Sequence, residues 1–215
     1  MRNLILAFLV CACTSLRSGD LVFVAAPSGE MDEAIAQSTG AFTHVAILEV
    51  AGDSAWVLDA TPAHGVSRRP LSQFLQENGP DAVYAVKRVR DSASVASSAL
   101  ARARSLCGLP YDLRFLPGND AYYCSELVQV CFLLADGTPL FPLAPMNWLA
   151  PDGTLPSFWQ QNFAALGMDV PQGVPGTNPA AMAASPFLED VACGETLGRF
   201  CGIMPTSGRA HFLMY

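Results

Sequence analysis

The sequence predicts a single α+β domain, and three observations support this fold class. First, 51 % of the 215 residues are hydrophobic, which is enough for one well-buried core in a chain of this length. Second, short apolar segments bounded by Gly, Pro and Asp are typical of buried strands. Third, segments with helical spacing of apolar residues lie between and after them. The sequence has no internal repeat and no low-complexity linker, so we expect one domain.

The strands are predicted in the first half of the chain, together with one helix. Pro27 stops the first apolar segment, and Gly52-Asp53 separates two further ones as a turn would. Gly40 follows the helical segment, at the position where glycine favours the left-handed conformation that ends helices. We expect strands at residues 19–27, 43–51, 55–61 and 82–89, and a helix at residues 30–39.

Three further helices are predicted in the second half. Gly108 and Gly137 follow the first two of them and indicate where they end. The chain after Gly137 is rich in Pro and Gly and contains only the third helix. The predicted helices cover residues 92–108, 122–137 and 155–167.

The N-terminal segment is interpreted as a targeting signal. Residues 1–18 read as a signal peptide or lipoprotein signal, since the apolar run at 4–10 is too short to span a bilayer. The domain is then predicted to cover residues 19–215. Residues 10–13 resemble a bacterial lipobox, which would make Cys13 a possible lipid anchor to the membrane. The alternatives are an ordinary signal peptide cleaved nearby or a first strand of the domain. A signal of either kind implies a periplasmic or cell-envelope location.

Composition excludes several classes of partner. The net charge is −7 and the pI is about 4.8, without any run of Lys or Arg, so we expect no nucleic-acid partner. The cysteines form no C-x-x-C pair, which leaves a metal site without support, and no cofactor is expected. Cys193 and Cys201 could form a disulfide or remain two buried thiols. The protein is expected to be a monomer.

Cys124 and Cys131 lie seven residues apart on one predicted helix. Two helical turns separate them by about 10 Å, too far for a disulfide, and Cys124 has no adjacent resolving cysteine. Cys131 continues an apolar stripe and is predicted to be a core residue. Cys124 lies in the first turn, where unpaired N–H groups favour a thiolate, so it is the candidate nucleophile. Alternatively, it is the top of the same apolar stripe.

A thiolate needs a base, and His44 is the best candidate among the three histidines. His211 lies close to the C-terminus, and His64 lies in a Pro-Ala-His-Gly segment typical of a solvated loop. His44 begins a predicted strand, where its side chain shares a face with Ala46 and Leu48.

Turn geometry then selects the acid that meets His44. With either a two-residue turn at Gly52-Asp53 or a four-residue turn, Asp59 lies on the face of His44, whereas Glu49 points away. A three-residue turn would place Asp59 on the opposite face. The alternative role for Asp59 is a strand-end carboxylate that caps the following turn.

The order "GDLVF", "THVAILEV", "VLDATPAHGVSRRPL", "LPYD" and "YYCSELV" resembles the YiiX/YaeF-like branch of the circularly permuted papain-fold cysteine hydrolases. These proteins are related to NlpC-type cell-wall peptidases and to lecithin-retinol acyltransferase. The stretch "PQGVPGTNPAAMAAS" also resembles that branch, so the resemblance covers residues 19–190 and leaves 191–215 unmatched. It implies a permuted papain-like (NlpC-type) fold, with an antiparallel sheet or small barrel packed against helices and the nucleophile at a helix N-terminus.

The resemblance also implies a Cys-His-Asp triad. Cys124 would act as nucleophile, His44 as base and then acid, and Asp59 as the orienting residue, although many relatives carry Glu there. The backbone N–H of Cys124 and the hydroxyl of Tyr111 would stabilise the oxyanion; alternatively, Tyr111 packs against the sheet. We do not expect Glu126 to be catalytic, because the helix dipole alone favours an acid in the first turn.

The implied activity is hydrolysis of an amide bond in peptidoglycan peptides or other short peptides. A lipid thioesterase or acyltransferase is the enzymatic alternative, and an inactive cell-envelope binding lipoprotein is the alternative from another class. Several basic side chains were interpreted as solvated strand ends in preference to a basic lip for an acidic substrate. They are Arg68, Arg69, Lys87, Arg88 and Arg90.

Overall fold

The computed structural model describes residues 16–26, 29–90 and 93–191. The strands are β1 (Leu21–Ala25), β2 (His44–Ala51), β3 (Ser54–Thr61), β4 (Gly65–Pro70), β5 (Val83–Val89), β6 (Ala144–Pro145), β7 (Pro175–Gly176) and β8 (Leu188–Asp190). The helices are α1 (Glu30–Thr39), α2 (Leu71–Glu77), α3 (Ala93–Ser105), α4 (Cys124–Cys131), α5 (Ser157–Ala165) and α6 (Pro179–Ala183).

A six-stranded antiparallel sheet forms the centre of the domain. Its strand order is β4-β3-β2-β1-β5-β8, and β6 and β7 pair separately. The sheet confirms the predicted α+β class and the antiparallel sheet packed against helices. Within the described residues, β4 and β8 are its edges, so the sheet is open and the alternative of a small closed barrel is not needed.

Side chains alternate between the two faces of the sheet and bury two separate clusters. Val45 and Ile47 of β2 pack with helices α3 and α4 on one face. Ala46 and Leu48 of the same strand pack with Phe74 of α2 on the other face. This period of two is what a strand buried on both sides requires.

A third, aromatic cluster lies beside the start of α4. Trp148 and Trp159 pack edge to face, with ring centroids 4.7 Å apart, and Phe115 contacts both. Residues of α1 and α5 and the ring of Tyr123 complete this cluster. Because Tyr123 precedes Cys124, the cluster fixes the position at which α4 begins.

The β2–β3 hairpin has the shorter of the predicted turns. Ala51 pairs with Ser54, so Gly52-Asp53 is a two-residue turn, and the three-residue and four-residue alternatives are wrong. The glycine has φ 58°, the positive value that two-residue hairpin turns require. The register that follows from this turn is the one that puts Asp59 on the face of His44.

Helix α4 is shorter than predicted. It ends at Cys131, because Phe132 leaves helical geometry with ψ 88° and the chain then folds back on itself. Leu134 and Thr138 close this turn through a backbone hydrogen bond, and Gly137 with φ 85° lies within it rather than at the helix end. Gly137 therefore marks a turn and not the end of the helix. Strand β4 and helix α2 were not predicted, and the chain after Gly137 contains α6 and the short strands β6, β7 and β8 in addition to the one predicted helix.

Candidate active site

Cys124 is the first residue of α4, as predicted. Tyr123 precedes it with extended backbone angles and accepts the N–H of Leu127 through its carbonyl, so the helix starts at the cysteine. The side chain is buried, with 4 % of the residue exposed. Cys131, two turns later on the same helix, is fully buried in the core, which confirms the interpretation made for it.

Thr177 fixes the residues on both sides of the cysteine. Its backbone N–H donates to the hydroxyl of Tyr123 at 3.0 Å, and its hydroxyl bonds that of Ser125 at 3.0 Å. Thr177 follows β7, in the stretch "PQGVPGTNPAAMAAS" that resembles the family. That stretch therefore holds the helix start in place.

His44 begins β2 and lies between Asp59 and Cys124. Its Nε2 is 2.8 Å from Oδ2 of Asp59, and the Cys124 side chain is near enough to the ring to influence its pKa. Because Nε2 faces the carboxylate, Nδ1 is the nitrogen left for the thiol. Burial lowers the pKa of His44, but the hydrogen bonds and charges of Asp59 and Cys124 outweigh burial and raise it to about 10. The imidazole is therefore held in its protonated form.

Asp59 is fully buried, with 0 % exposed, and its side chain contacts His44 and Arg69 rather than the following turn. Burial raises the pKa of this carboxyl, but the hydrogen bonds and charges of His44 and Arg69 lower it below its ordinary value. The aspartate reaches the histidine at hydrogen-bonding distance, so its side chain is long enough for the orienting role that the resemblance implies.

Arg69 is a residue of this site that the sequence interpretation missed. Its Nη2 and Nε donate to the two carboxylate oxygens of Asp59, at 2.6 and 3.2 Å, and its Nη1 donates to Glu77 of α2. The prediction of a solvated strand end is wrong for Arg69, whose side chain is only 6 % exposed. A prediction of β4 beside β3 would have found it, because Asp59 pairs with Ser67 and Arg69 shares their face.

The other basic side chains named in the sequence are each paired with a carboxylate and form no basic lip. Arg68 donates two hydrogen bonds to Glu49 on the opposite face of β4 from Arg69. The remaining pairs are Lys87 with Asp190, Arg88 with Asp20 and Arg90 with Glu189.

Tyr111 and Cys124 line the same narrow cavity of about 30 Å³. The ring of Tyr111 meets Phe115 edge to face at 6.2 Å, and other walls come from Met146 and Trp148. Burial raises the pKa of Tyr111, and the charge of Cys124 raises it further, so the hydroxyl stays protonated and able to donate. The structure thus brings Tyr111 close to the thiol.

A second and larger opening, of about 330 Å³, borders His44. Its walls come from α1, from the loop between β3 and β4, and from α2, and several ionisable side chains line it. They include Asp32, His64, Arg69 and Glu77. His64, which was predicted to be solvated, lies at the rim of this opening, 3.3 Å from Glu77. Its side chain is 35 % exposed.

Glu126 occupies the third position of α4 and is buried, with 4 % exposed. Its Oε2 has no hydrogen-bond partner among the described residues. Burial and the nearby charge of Asp112 raise the pKa of Glu126 to about 8, while the backbone N–H of Tyr123 opposes the shift. The helix dipole, which was the reason for setting this residue aside, therefore does not keep it ionised.

The comparisons with known proteins agree with this architecture, that of a permuted papain-like hydrolase in which the histidine precedes the cysteine. The model of the permuted papain-like amidase enzymes, the YaeF/YiiX or C92 family, matches residues 15–192. The chain therefore belongs to this family of cysteine peptidase or amidase hydrolases. No curated protein matches the chain.

Among solved structures, the chain is similar to the crystal structure of metalloprotein yiiX from Escherichia coli O157:H7. The TM-score is 0.67 at 23 % sequence identity, and the match covers 82 % of this chain and 96 % of the other. At this identity, the similarity supports the fold alone.

That neighbour is described as a metalloprotein, which raises the question of whether this site fits a metal. Within residues 16–26, 29–90 and 93–191, no three His, Cys, Asp or Glu side chains are grouped so as to hold a metal ion. His44 and Asp59 instead bond each other. The described residues of this site therefore do not fit a metal ion.

The predictions about the two chain termini concern residues that the structure does not describe. Cys13, Cys193 and Cys201 lie in parts of the chain that the structure does not describe, so the lipid anchor and the disulfide stay predictions. No helix in the described part of the chain is long and apolar enough to cross a membrane.

We predict that Glu126→Gln changes how stability depends on pH. The native carboxyl keeps its proton up to about pH 8, whereas the unfolded one releases it near 4.5, so the native state binds more protons between these values. The free energy of unfolding should therefore fall as pH rises through this range, by at most about 1.4 kcal/mol per pH unit, and the variant should lack this fall. Urea denaturation at several pH values measures the difference. If the free energy of unfolding changes with pH in the same way for both proteins, the prediction is wrong.

Proposed function

We propose that this protein is a cysteine hydrolase that cleaves an amide bond in a short peptide, such as a peptidoglycan stem peptide. The observation that carries the proposal is that His44 bonds Oδ2 of Asp59 at 2.8 Å through Nε2 and interacts electrostatically with Cys124 at the start of α4. Nucleophile, base and orienting acid in this order are what acyl transfer through a thiol requires.

The reaction would proceed in two stages. The proton of Cys124 would already lie on His44 in the resting site, giving a thiolate beside an imidazolium, and the sulfur then attacks the amide carbon to form a tetrahedral oxyanion. As the oxyanion collapses, the C–N bond breaks and His44 gives its proton to the leaving amine. Water, deprotonated by His44, then attacks the thioester, releases the carboxylic acid and restores the thiol. Asp59 keeps the imidazole oriented and stabilises its positive charge throughout.

The oxyanion is assigned to the backbone N–H of Cys124 and the hydroxyl of Tyr111. The first N–H groups of a helix have no partner within the helix, so they are available to a developing negative charge. Tyr111 supports this assignment because it shares a cavity with Cys124 and keeps its proton.

The spaces around the site favour a peptide over a lipid substrate. The cavity beside Cys124 is lined by aromatic rings and, at about 30 Å³, is too small for a fatty acyl chain. The leaving group must lie on the side of His44, which protonates it, and the opening there is lined by the ionisable side chains of Asp32, Arg69 and Glu77. A short peptide whose amine product occupies this opening suits both spaces.

The cell-envelope location is part of the proposal. It is supported by the apolar N-terminal segment and by the Val10–Cys13 lipobox pattern, through which Cys13 would anchor the protein to a membrane. Peptidoglycan fragments would be accessible substrates at such a location. We propose no nucleic-acid partner, and a monomer as the working unit.

We predict that Cys124 reacts rapidly with iodoacetamide well below pH 8, and that His44→Ala suppresses this reaction by at least tenfold, because the variant removes the base that takes the thiol proton. Peptide-resolved mass spectrometry follows Cys124 separately. Cys107 serves as the internal reference because the reagent can reach it and its thiol is not activated. Partial desolvation raises the pKa of this thiol. Slow alkylation of Cys124 that is independent of His44 would favour an inactive binding protein.

We predict that hydrolysis requires Cys124 but not Cys131. Short peptides and purified peptidoglycan fragments form one substrate panel, and thioesters and phospholipids form the other. Cys124→Ala should abolish turnover, whereas Cys131→Ala, in the core of the same helix, should retain it in the folded protein. Activity confined to the lipid panel would replace the peptide substrate by the acyltransferase or thioesterase alternative.

We predict that Tyr111→Phe lowers kcat with little change in KM. The substitution removes one hydroxyl donor and keeps the ring that contacts Phe115. Loss of one oxyanion donor costs about 3 kcal/mol of transition-state stabilisation, or roughly a hundredfold in kcat. Steady-state kinetics on the best peptide provides the measurement. Unchanged kcat would leave Tyr111 as a packing residue.

A further inference from the structure

We propose that Arg69 is a positioning residue of this site: its guanidinium keeps the Asp59 carboxylate ionised and aimed at His44, and thereby sets the pH range over which Cys124 reacts. This inference rests on the proposed function, since it concerns the same triad. It adds a fourth residue, which acts through Asp59 and does not touch the substrate.

The first argument is the geometry of the contact. Arg69 meets Asp59 with a two-pronged hydrogen-bonded fork, Nη2 to Oδ2 at 2.6 Å and Nε to Oδ1 at 3.2 Å. Two parallel bonds fix the plane of a carboxylate, whereas a single bond leaves it free to rotate. The oxygen Oδ2 that Arg69 holds is also the one that bonds Nε2 of His44 at 2.8 Å. The rotation of Asp59, and so the direction of its bond to the histidine, depends on the arginine.

The second argument is that Arg69 is itself fixed at its other end. Nη1 donates to Glu77 of α2, and Gln73 donates to the other oxygen of Glu77 at 2.7 Å. The ring of Phe74, also on α2, lies 5.6 Å below the guanidinium and 5.9 Å from the ring of His44. One helix therefore supports both the arginine and the histidine, and the fork cannot swing away from Asp59.

The third argument is electrostatic. Asp59 is completely buried, and a buried carboxylate without a partner takes up a proton. The ionised groups that face it are His44 from β2 and Arg69 from β4, and behind Arg69 lie Glu77 and the partly exposed His64. His44 must exchange its proton in every cycle, so it cannot neutralise Asp59 at each step. Arg69 keeps its charge throughout and can.

Arg68 provides a matched control within the same strand. It lies one residue before Arg69 and makes an equivalent fork to a carboxylate, Nε to Oε2 of Glu49 at 2.8 Å and Nη2 to Oε1 at 3.1 Å. Because neighbouring residues of a strand point to opposite faces, this second fork faces away from the triad. Arg68→Met removes an arginine–carboxylate pair of the same kind without touching Asp59.

The experiment measures the rate of Cys124 alkylation by iodoacetamide from pH 4 to 9 in the full chain, by peptide-resolved mass spectrometry. Arg69→Met should move the half-maximal rate to higher pH by about 1 unit, because Asp59 then protonates more readily. Arg69→Lys keeps the charge without the fork and should shift the midpoint less while lowering the plateau rate. Arg68→Met should match the original protein within about twofold.

A double-variant comparison tests whether Arg69 acts through Asp59. Asp59→Asn removes the group that Arg69 positions, so adding Arg69→Met to it should lower the alkylation rate by less than twofold more. The double variant also removes both buried charges, so it remains informative if Arg69→Met alone fails to fold. A further tenfold loss in the double variant would overturn the inference, as would a profile for a folded Arg69→Lys that matches that of Arg68→Met.

These outcomes are distinct from failure of the proposed function. If Cys124 alkylation in the original protein is slow and independent of His44, the triad itself is not functional, and the inference falls with it. If His44→Ala suppresses the reaction but the Arg69 variants behave like Arg68→Met, only the role of Arg69 is lost. Circular dichroism of each variant confirms that the compared proteins are folded.

Discussion

The buried carboxylate of Asp59 is the constraint on which the rest of the site depends. An ionised group removed from water costs several kcal/mol unless charged partners replace its hydration. Here the partners come from the two neighbouring elements of the sheet order, His44 from β2 and Arg69 from β4. Both strands must therefore hold their register against β3, since a slip of one residue would turn these side chains to the opposite face. The two ion pairs that compensate for the burial of Asp59 also orient the imidazole of His44.

The proposed nucleophile is positioned by different contacts. Cys124 owes its position to the start of α4, and that start is set by Tyr123 and by the hydrogen bonds of Thr177. These contacts belong to the aromatic cluster and to the segment around β7, not to the sheet. The site thus forms where helix α4 packs on the sheet, with charge supplied by the strands and the thiol by the helix. The small cavity borders Cys124 and the larger opening borders His44.

The residues predicted from the sequence were those placed by short-range rules. The proximity of His44 and Asp59 follows from a two-residue Gly-Asp turn and the period of a strand, and both are readable locally. Arg69 was missed because β4, "GVSRRP", shows no clear apolar alternation and ends in proline, so nothing in it indicates a strand. The end of α4 was misplaced because a glycine in a turn resembles a helix stop. The burial of Glu126 depends on tertiary packing, which no spacing rule describes.

The charges that serve the proposed chemistry also define the pH range in which the fold is stable. The lowered pKa of Asp59 contributes stability that is present above its unfolded pKa of about 3.8 and lost on acidification. The raised pKa of His44 contributes stability that is complete below pH 6.5 and lost as pH rises towards 10. Glu126 opposes folding increasingly between pH 4.5 and 8, where only the unfolded state has released its proton. Both contributions of the Asp59–His44 pair are therefore present around neutral pH, which is where the imidazolium and carboxylate needed beside Cys124 coexist. Stability and the proposed catalysis depend on one set of buried charges, so a substitution that removes one charge alone is expected to affect both.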